Sequence, residues 1–256
     1  MSLLATKSSF LATFKSLGAL FLFILFGLFL DSFYMVKITK DAQFYATISM
    51  LVGFTIVFVK VNKRVKEQMI TAVILGIIGE YFFSILLGMY TYRLENVPHY
   101  VPPGHALVYT AVLYFSKAKS IVLHRIKLER FFTIFIMIYA SLFLIFKNDV
   151  FGFVMTVATL LILRNKPRER LFYLTMYISV AYLEIVGTNF LCWKWPATAW
   201  GIFDFLPSFN PPSGISFFYF LLDIGCLWLY KQRHKIAWSR MKNIRKIRLQ
   251  TNTSVN

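Results

Sequence analysis

Charged residues are scarce in this 256-residue chain, and acidic residues are the scarcest. Only 15% of the residues are charged, with 11 Asp and Glu against 28 Lys and Arg. A soluble domain usually carries about 25% charged residues. Hydrophobic residues make up 58% of the chain and aromatic residues 18%. This composition excludes an ordinary water-soluble domain.

Cysteine is nearly absent as well. The two cysteines, Cys192 and Cys226, provide no metal-ligand spacing and no disulfide framework. Cys226 lies within an apolar run, so we expect two buried thiols. The four histidines add no ligand spacing, and the chain lacks a phosphate-cradling glycine loop and a nucleophile elbow. We therefore predict neither a metal site nor a cofactor.

The apolar residues occur in long blocks separated by short charged or proline-bearing connections. Blocks of about 20 apolar residues match the hydrocarbon thickness of a bilayer, and they lack the alternation of a transmembrane barrel. No cleavage site follows the first block, so we interpret it as an uncleaved helix. The chain is predicted to be all-α and polytopic. Its eight predicted transmembrane helices are residues 17–35, 44–59, 69–90, 104–115, 131–146, 150–163, 171–191 and 215–230.

The distribution of Lys and Arg supports this count independently of hydropathy. If the connections alternate between the two sides, 23 of the 28 basic residues lie on one side and five on the other. This places both termini in the cytoplasm, and the short connections are typical of a bacterial inner membrane. The net charge of +17 is spread over every cytoplasmic connection, so it does not indicate nucleic-acid binding. Membrane lipids are the expected partners.

The basic tail, residues 231–256, carries apolar residues at helical spacing among its cations. It predicts either an amphipathic helix on anionic lipid or a simple topology anchor. The apolar residues of this pattern are Trp238, Met241, Ile244 and Ile247.

Three acidic residues, Glu80, Glu184 and Asp223, lie within predicted spans. An ionised carboxylate at the bilayer centre costs at least about 2.5–3.5 kcal/mol, so such side chains usually face a polar interior. Small residues at four-residue spacing share a helix face with Glu80 and allow close helix packing. They are Gly76, Ser84 and Gly88. We therefore expect Glu80 to point into the helix bundle.

The segments that follow the two glutamates resemble each other. A Tyr-x-Tyr motif follows Glu80 and a Trp-x-Trp motif follows Glu184. Each motif is followed by an irregular stretch, a Pro-Pro pair and a new span. The pattern predicts a parallel repeat of two four-helix units, residues 1–130 and 131–230, related by an axis along the membrane normal.

The two non-cytoplasmic loops, residues 91–103 and 192–214, are rich in aromatic residues and proline. They predict either an interfacial aromatic belt or an inward-folded cap over a cavity. In the second case the candidate catalytic residues are the three acids and His105, which opens the fourth span and can titrate near neutral pH. The candidate substrate-binding residues are Tyr90, Tyr92, Trp193, Trp195 and Asn210. Asn210 is also predicted, together with Ser213, to cap the last span.

The stretch from Glu80 to Tyr109 carries a family resemblance. Its glutamate helix ends in Gly-x-Tyr-x-Tyr at residues 88–92, and Val-Pro-x-x-Val-Pro at residues 97–102 leads into a new helix. This arrangement resembles the bacterial and archaeal carotenoid hydratase family. The likeness covers only this stretch, and two leucines stand where that family has Pro-Phe before the glycine. The resemblance implies a polytopic membrane enzyme that adds water to the end of a C40 polyene.

Three functions are compatible with these features. They are a membrane-embedded enzyme acting on a lipid or isoprenoid, a small-solute or proton-coupled transporter, and a structural or assembly subunit. The prolines lie at span ends rather than inside spans, which favours the enzyme over the transporter. Burial keeps a carboxyl protonated near neutral pH, so Glu80 is the candidate acid, with Glu184 or Asp223 orienting water and aromatic faces stabilising a cation. A cavity open laterally to lipid around these residues would indicate the enzyme.

Overall fold

The computed structural model describes residues 3–236, 238–240 and 243–244, and it is mostly helical. The helices are α1 (Leu3–Leu30), α2 (Phe33–Val36), α3 (Ala42–Lys60), α4 (Lys63–Glu80, continued by a π-helical turn at Tyr81–Leu86), α5 (Val101–Lys117), α6 (Lys119–Leu123), α7 (Arg125–Lys147), α8 (Val150–Arg164), α9 (Arg170–Asn189) and α10 (Ser216–Arg233). The strands are β1 (Thr91–Tyr92), β2 (Trp193–Lys194), β3 (Thr198–Ala199) and β4 (Phe203–Pro207).

A helix lies at each position where the sequence predicts a span. Five helical segments in the described part of the chain are long and apolar enough to cross a membrane. They are Phe10–Val36, Ala42–Lys60, Lys63–Leu86, Arg125–Lys147 and Arg170–Asn189. Helices α5 and α8 are shorter, with 17 and 15 residues. These apolar helices are compatible with an integral membrane protein.

The outer surface of the bundle is apolar and part of its interior is polar. Ile56 on α3 and Ile145 on α7 are 50% and 71% exposed. Glu80, Thr156 and Glu184 are buried. The apolar outer surface departs from that of a soluble protein and is the one expected where hydrocarbon is the surrounding solvent.

Two span boundaries differ from the prediction for clear physical reasons. The third predicted span ends at Leu86 instead of residue 90, because Gly88 adopts a left-handed backbone conformation with φ of 58°. Gly88 is therefore outside the helix, and its predicted place on the face of Glu80 is wrong. Helix α5 begins at Val101, earlier than predicted, with prolines in its first turn, where a missing N–H costs little.

Helices α4, α5, α9 and α10 form the centre of the molecule: α4 packs on α5 and α10, and α5 packs on α9. A Cβ atom on Gly76 would lie 3.4 Å from the backbone of Pro102 and 3.5 Å from the His105 ring. The missing side chain at Gly76 therefore allows the start of α5 to approach α4. This approach brings His105 toward Glu80, one helical turn away from Gly76.

The two aromatic loops, residues 91–103 and 192–214, pair with each other. Strand β1 runs antiparallel to β2, with Thr91 opposite Lys194 and Tyr92 opposite Trp193. Strands β3 and β4 form a second small sheet within the longer loop. The Tyr-x-Tyr and Trp-x-Trp motifs thus lie side by side above the central helices.

Two buried aspartates hold these loops in place. Asp31 accepts hydrogen bonds from Arg93 and from the hydroxyl of Tyr100, the latter at 2.8 Å. Asp149 accepts from the backbone N–H of Ser213 at 2.7 Å and of Phe209 at 3.1 Å. The sequence places both aspartates at span ends and provides no sign of this role.

The basic tail is described only in part. Arg233 and His234 contact Glu67 at the start of α4, at 3.1 Å and 2.8 Å. Of the predicted amphipathic pattern, Met241 and Ile247 lie outside the described residues.

Candidate functional site

A single cavity in the bundle centre is lined by all four candidate catalytic residues, Glu80, His105, Glu184 and Asp223. Its volume is about 80 Å³, which accommodates several waters at roughly 10–15 Å³ for each water centre. Four of the five candidate substrate-binding residues line the same cavity. They are Tyr90, Tyr92, Trp193 and Trp195.

Glu80 is held by three side chains of two different elements. The hydroxyls of Tyr90 and Tyr92 donate to its Oε2 at 2.5 Å and 2.6 Å. The Nε2 of His105 lies 2.9 Å from Oε1. Burial, and then the adjacent Glu80 carboxylate, raise the pKa of Tyr92 well above its ordinary value. This phenol therefore keeps its proton and acts as a donor.

Glu184 has an equivalent set of three partners. The indole Nε1 groups of Trp193 and Trp195 donate to its Oε2 at 2.8 Å and 3.0 Å. The hydroxyl of Tyr219 on α10 donates to Oε1 at 3.1 Å. In both sites, therefore, an aromatic-x-aromatic motif binds one carboxylate oxygen and a residue of the following helix binds the other.

The partners of the two glutamates differ in their proton chemistry. An indole N–H only donates, whereas an imidazole can donate or accept. The Glu184 Oε2 is therefore always an acceptor. The Glu80–His105 pair can hold a proton on either residue. Of the two sites, only the Glu80 site has a partner whose ring nitrogen can act as either donor or acceptor.

Local sequence explains how Trp193 reaches Glu184. A Cβ atom on Gly187, one turn after Glu184, would overlap the Trp193 ring. The glycine therefore leaves the space that the indole occupies. Ser84, one turn after Glu80, donates to the backbone carbonyl of Tyr90 at 3.1 Å and holds the start of the Tyr-x-Tyr motif.

Asp223 lies one turn beyond Tyr219 on α10. Its Oδ2 is buried and has no hydrogen-bond partner among the described residues. A buried carboxyl oxygen that faces a cavity requires a water or a ligand as its partner. Tyr109 and Cys226 line the cavity near it.

The cap predicted for Asn210 and Ser213 at the start of the last span is wrong. Asn210 is not part of the cavity wall, and its Oδ1 accepts from the backbone N–H of Trp195 at 2.9 Å. Asn210 therefore positions the backbone of the Trp-x-Trp motif without contacting the cavity. Neither residue caps α10, which is preceded by Ile215 without a side-chain cap. Gly214 and Ile215 lie between Ser213 and the first residue of α10, so the Ser213 side chain is too far from the helix to cap it.

Sequence reasoning missed Tyr219 as the third partner of Glu184. Its ring packs at a tilt against the His105 ring, with the centroids 4.8 Å apart, so it also joins the two glutamate sites. The spacing of Tyr219, Asp223 and Cys226 on one face of α10 is a signal for an inward orientation. The described part of the chain contains no cluster of His, Cys, Asp and Glu able to hold a metal ion. Both cysteines are free and buried, as predicted.

Comparison of the chain with protein-family models, curated proteins and solved structures finds no match.

Proposed function

We propose that this chain is a membrane-embedded enzyme that protonates a carbon–carbon double bond of an isoprenoid or similar lipid. The observation that carries the proposal is the Glu80–His105 pair, at 2.9 Å, in a cavity whose wall is mostly aromatic and aliphatic. In the proposed topology eight helices cross a bacterial inner membrane with both termini in the cytoplasm. The cavity then opens toward the outer half of the membrane.

The proposed reaction is the addition of water to an alkene. The proton held by the Glu80–His105 pair forms a bond to one alkene carbon, using the π electrons. The positive charge left on the other carbon is stabilised by the faces of nearby aromatic rings. A water molecule adds to that carbon and returns its proton to the pair, so the acid is regenerated. Glu184 accepts hydrogen bonds from both indoles and from Tyr219 and so holds these rings around the cation, and Asp223 is placed to orient the water.

The proposed repeat places the two glutamates in related positions. In this repeat Tyr90 corresponds to Trp193 and Tyr92 to Trp195, and the twofold axis passes near the Thr91–Lys194 pair. The contact between Tyr92 and Trp193 then corresponds to the contact between Trp195 and Tyr90. The ring centroids of these two contacts are 6.0 Å and 4.6 Å apart. The same axis relates α4 to α9 and α5 to α10. The packing of α4 on α10 therefore corresponds to the packing of α9 on α5, and both packings are present. These correspondences support two copies of one four-helix unit.

A structural role is the alternative, and one observation favours it. Both glutamates have all their carboxylate oxygens bound by donors within the protein, as in a polar network that only ties helices together. The cavity and the unpartnered oxygen of Asp223 favour the enzyme, because a purely structural network is expected to be dry and fully satisfied.

Isosteric substitution of each glutamate tests the proposal. Glu80→Gln and Glu184→Gln keep the shape and one acceptor oxygen, so we expect the folded protein to accumulate at normal levels. Lipid and isoprenoid extracts of cells producing these variants should lack a hydrated product that the wild-type chain makes. Chromatography with mass spectrometry detects such a product as a gain of one water. Identical extracts from wild-type and both variant strains would refute the enzymatic function.

His105→Gln provides a second arm of this experiment. Glutamine still donates to Glu80 but does not titrate, so the product should be lost although the hydrogen bond is kept. A structural network predicts the opposite result, with normal extracts and an unchanged melting temperature. The enzymatic and the structural function therefore predict different results for this one variant.

A further inference from the structure

An apolar groove lies on the side of the bundle between α1, α3 and α5, with a volume of about 910 Å³. Its wall contains only apolar and hydroxyl-bearing residues, without a charged side chain among those described. Along α5 it extends from Leu107 to Phe115, about 12 Å at about 1.5 Å per residue. Val52 and Ile56 on its rim are about half exposed, at 53% and 50%. The groove therefore faces the surroundings of the bundle, which we take to be lipid.

This groove adjoins the acid cavity. Leu20, Phe23 and Leu107 line both spaces. These three side chains are thus the partition between the lateral groove and the cavity that contains Glu80. The partition lies at the end of the groove nearer the C-terminus of α1, where the cavity begins.

Phe23 is the largest side chain of this partition. Its ring packs against Gly53 on α3, where a Cβ atom would lie 2.6 Å from the ring. Only the absence of a side chain at Gly53 allows the ring to occupy this position. A Phe ring has two rotatable side-chain bonds and no hydrogen bond to hold it, so it can swing aside without breaking a polar contact.

We infer that the groove binds the chain of an unsaturated isoprenoid and admits it to the acid site past Phe23. This inference rests on the proposed function. The groove provides no charged partner for a lipid headgroup, and the hydroxyl of Thr110 in its wall is already bonded to a backbone carbonyl at 2.7 Å. The part of the ligand that enters is therefore hydrocarbon. A saturated acyl chain has no double bond for the acid to protonate, and the disubstituted double bond of an unsaturated acyl chain would give only a secondary cation. The trisubstituted double bonds of an isoprenoid give tertiary cations, so an isoprenoid is the occupant that fits the proposed chemistry.

Photolabelling tests this site without relying on activity. The full chain in phosphatidylcholine vesicles is irradiated with a diazirine analogue of the C20 alcohol geranylgeraniol, and labelled peptides are identified by mass spectrometry. We expect saturable labelling within residues 49–57 and 107–115. Ser49→Trp fills the groove and should lower this labelling about tenfold, which corresponds to about 1.4 kcal/mol of lost binding. Ile48→Trp is the matched control because Ile48 is 45% exposed and outside the groove.

The outcomes separate this inference from the proposed function. Glu80→Gln should keep groove labelling while losing the hydrated product. Phe23→Ala should extend labelling to the peptide containing His105, because the partition is shortened. Equal labelling of α7 and the groove helices, or equal effects of the Ser49 and Ile48 variants, would overturn the groove as a binding site. Groove labelling together with unchanged extracts of the Glu80 variant would support the groove and refute the acid chemistry.

Discussion

At the scale of single residues, the two buried glutamates differ in which partners can release a proton. Glu184 is bound by two indoles and a phenol, and Glu80 by two phenols and an imidazole. Indoles remain donors at every physiological pH, so Glu184 has a constant environment. The His105 imidazole can donate or accept a hydrogen bond. In the proposed reaction the proton transfer therefore belongs to the Glu80–His105 pair, and Glu184 holds the indoles and the phenol in place.

A glycine next to Glu184 provides a test at this scale. Gly187→Ala should destabilise the protein by about 1–3 kcal/mol, the usual cost of an overpacked interior, because the Trp193 ring fills that space and is tied to Glu184. Thermal unfolding in detergent, followed by tryptophan fluorescence, measures the loss. Gly18→Ala on α1 is the control, since nothing lies within 4 Å of a Cβ there. Similar melting temperatures for both variants would contradict this packing account.

At the scale of elements, the π-helical turn at Tyr81–Leu86 sets the register of the first site. Ten residues separate Glu80 from Tyr90, but only nine separate Glu184 from Trp193. A π-helical turn bonds residue i to i+5 and accommodates one extra residue in a helix. The bond from the N–H of Leu87 to the carbonyl of Phe82, at 2.9 Å, has this spacing. The turn therefore absorbs the additional residue and keeps the two sites alike.

A single-residue deletion tests the role of this turn. Removing Ile85, which is 53% exposed, should convert the turn to regular α-helix and keep Tyr90 on Glu80. We expect the melting temperature to fall by only a few degrees. Removing Ile77 from the α-helical part should rotate Glu80 by about 100° relative to the preceding turns and abolish folding. If both deletions have the same effect, the π-helical turn does not hold the register.

At the scale of the whole molecule, the charge distribution makes a prediction about orientation. Single cysteines introduced at Asn96 and Asn165, both exposed, should react with an impermeant maleimide from opposite sides. The native Cys192 and Cys226 are buried, so the wild-type chain should stay unlabelled. In intact cells we expect Asn96→Cys to react and Asn165→Cys to react only after permeabilisation. Reaction of both variants in intact cells would rule out the proposed topology.

The sequence predicted the positions of the helices better than the partners of the site residues. Apolar blocks and their basic flanks are local properties, and helices occur at all the predicted positions. Glu80, Glu184 and Asp223 were placed inside the bundle because burying an isolated carboxylate is costly. Their common cavity agrees with that argument. The predictions that placed Gly88 on the helix face of Glu80 and Asn210 at the cap of α10 were wrong. Both residues lie in irregular segments, where hydropathy has no helical or strand periodicity.

Hydrophobic length, the Lys and Arg asymmetry and the buried acids depend on the sequence alone, because each reflects the free energy of moving a local segment from water into hydrocarbon. The pairing of β1 with β2, the distribution of donors between Glu80 and Glu184, and the partition at Phe23 were decided only by the tertiary structure. They depend on how closely α4, α5, α9 and α10 approach one another and on where one helix takes up an extra residue. Such distances arise from packing between segments far apart in the chain.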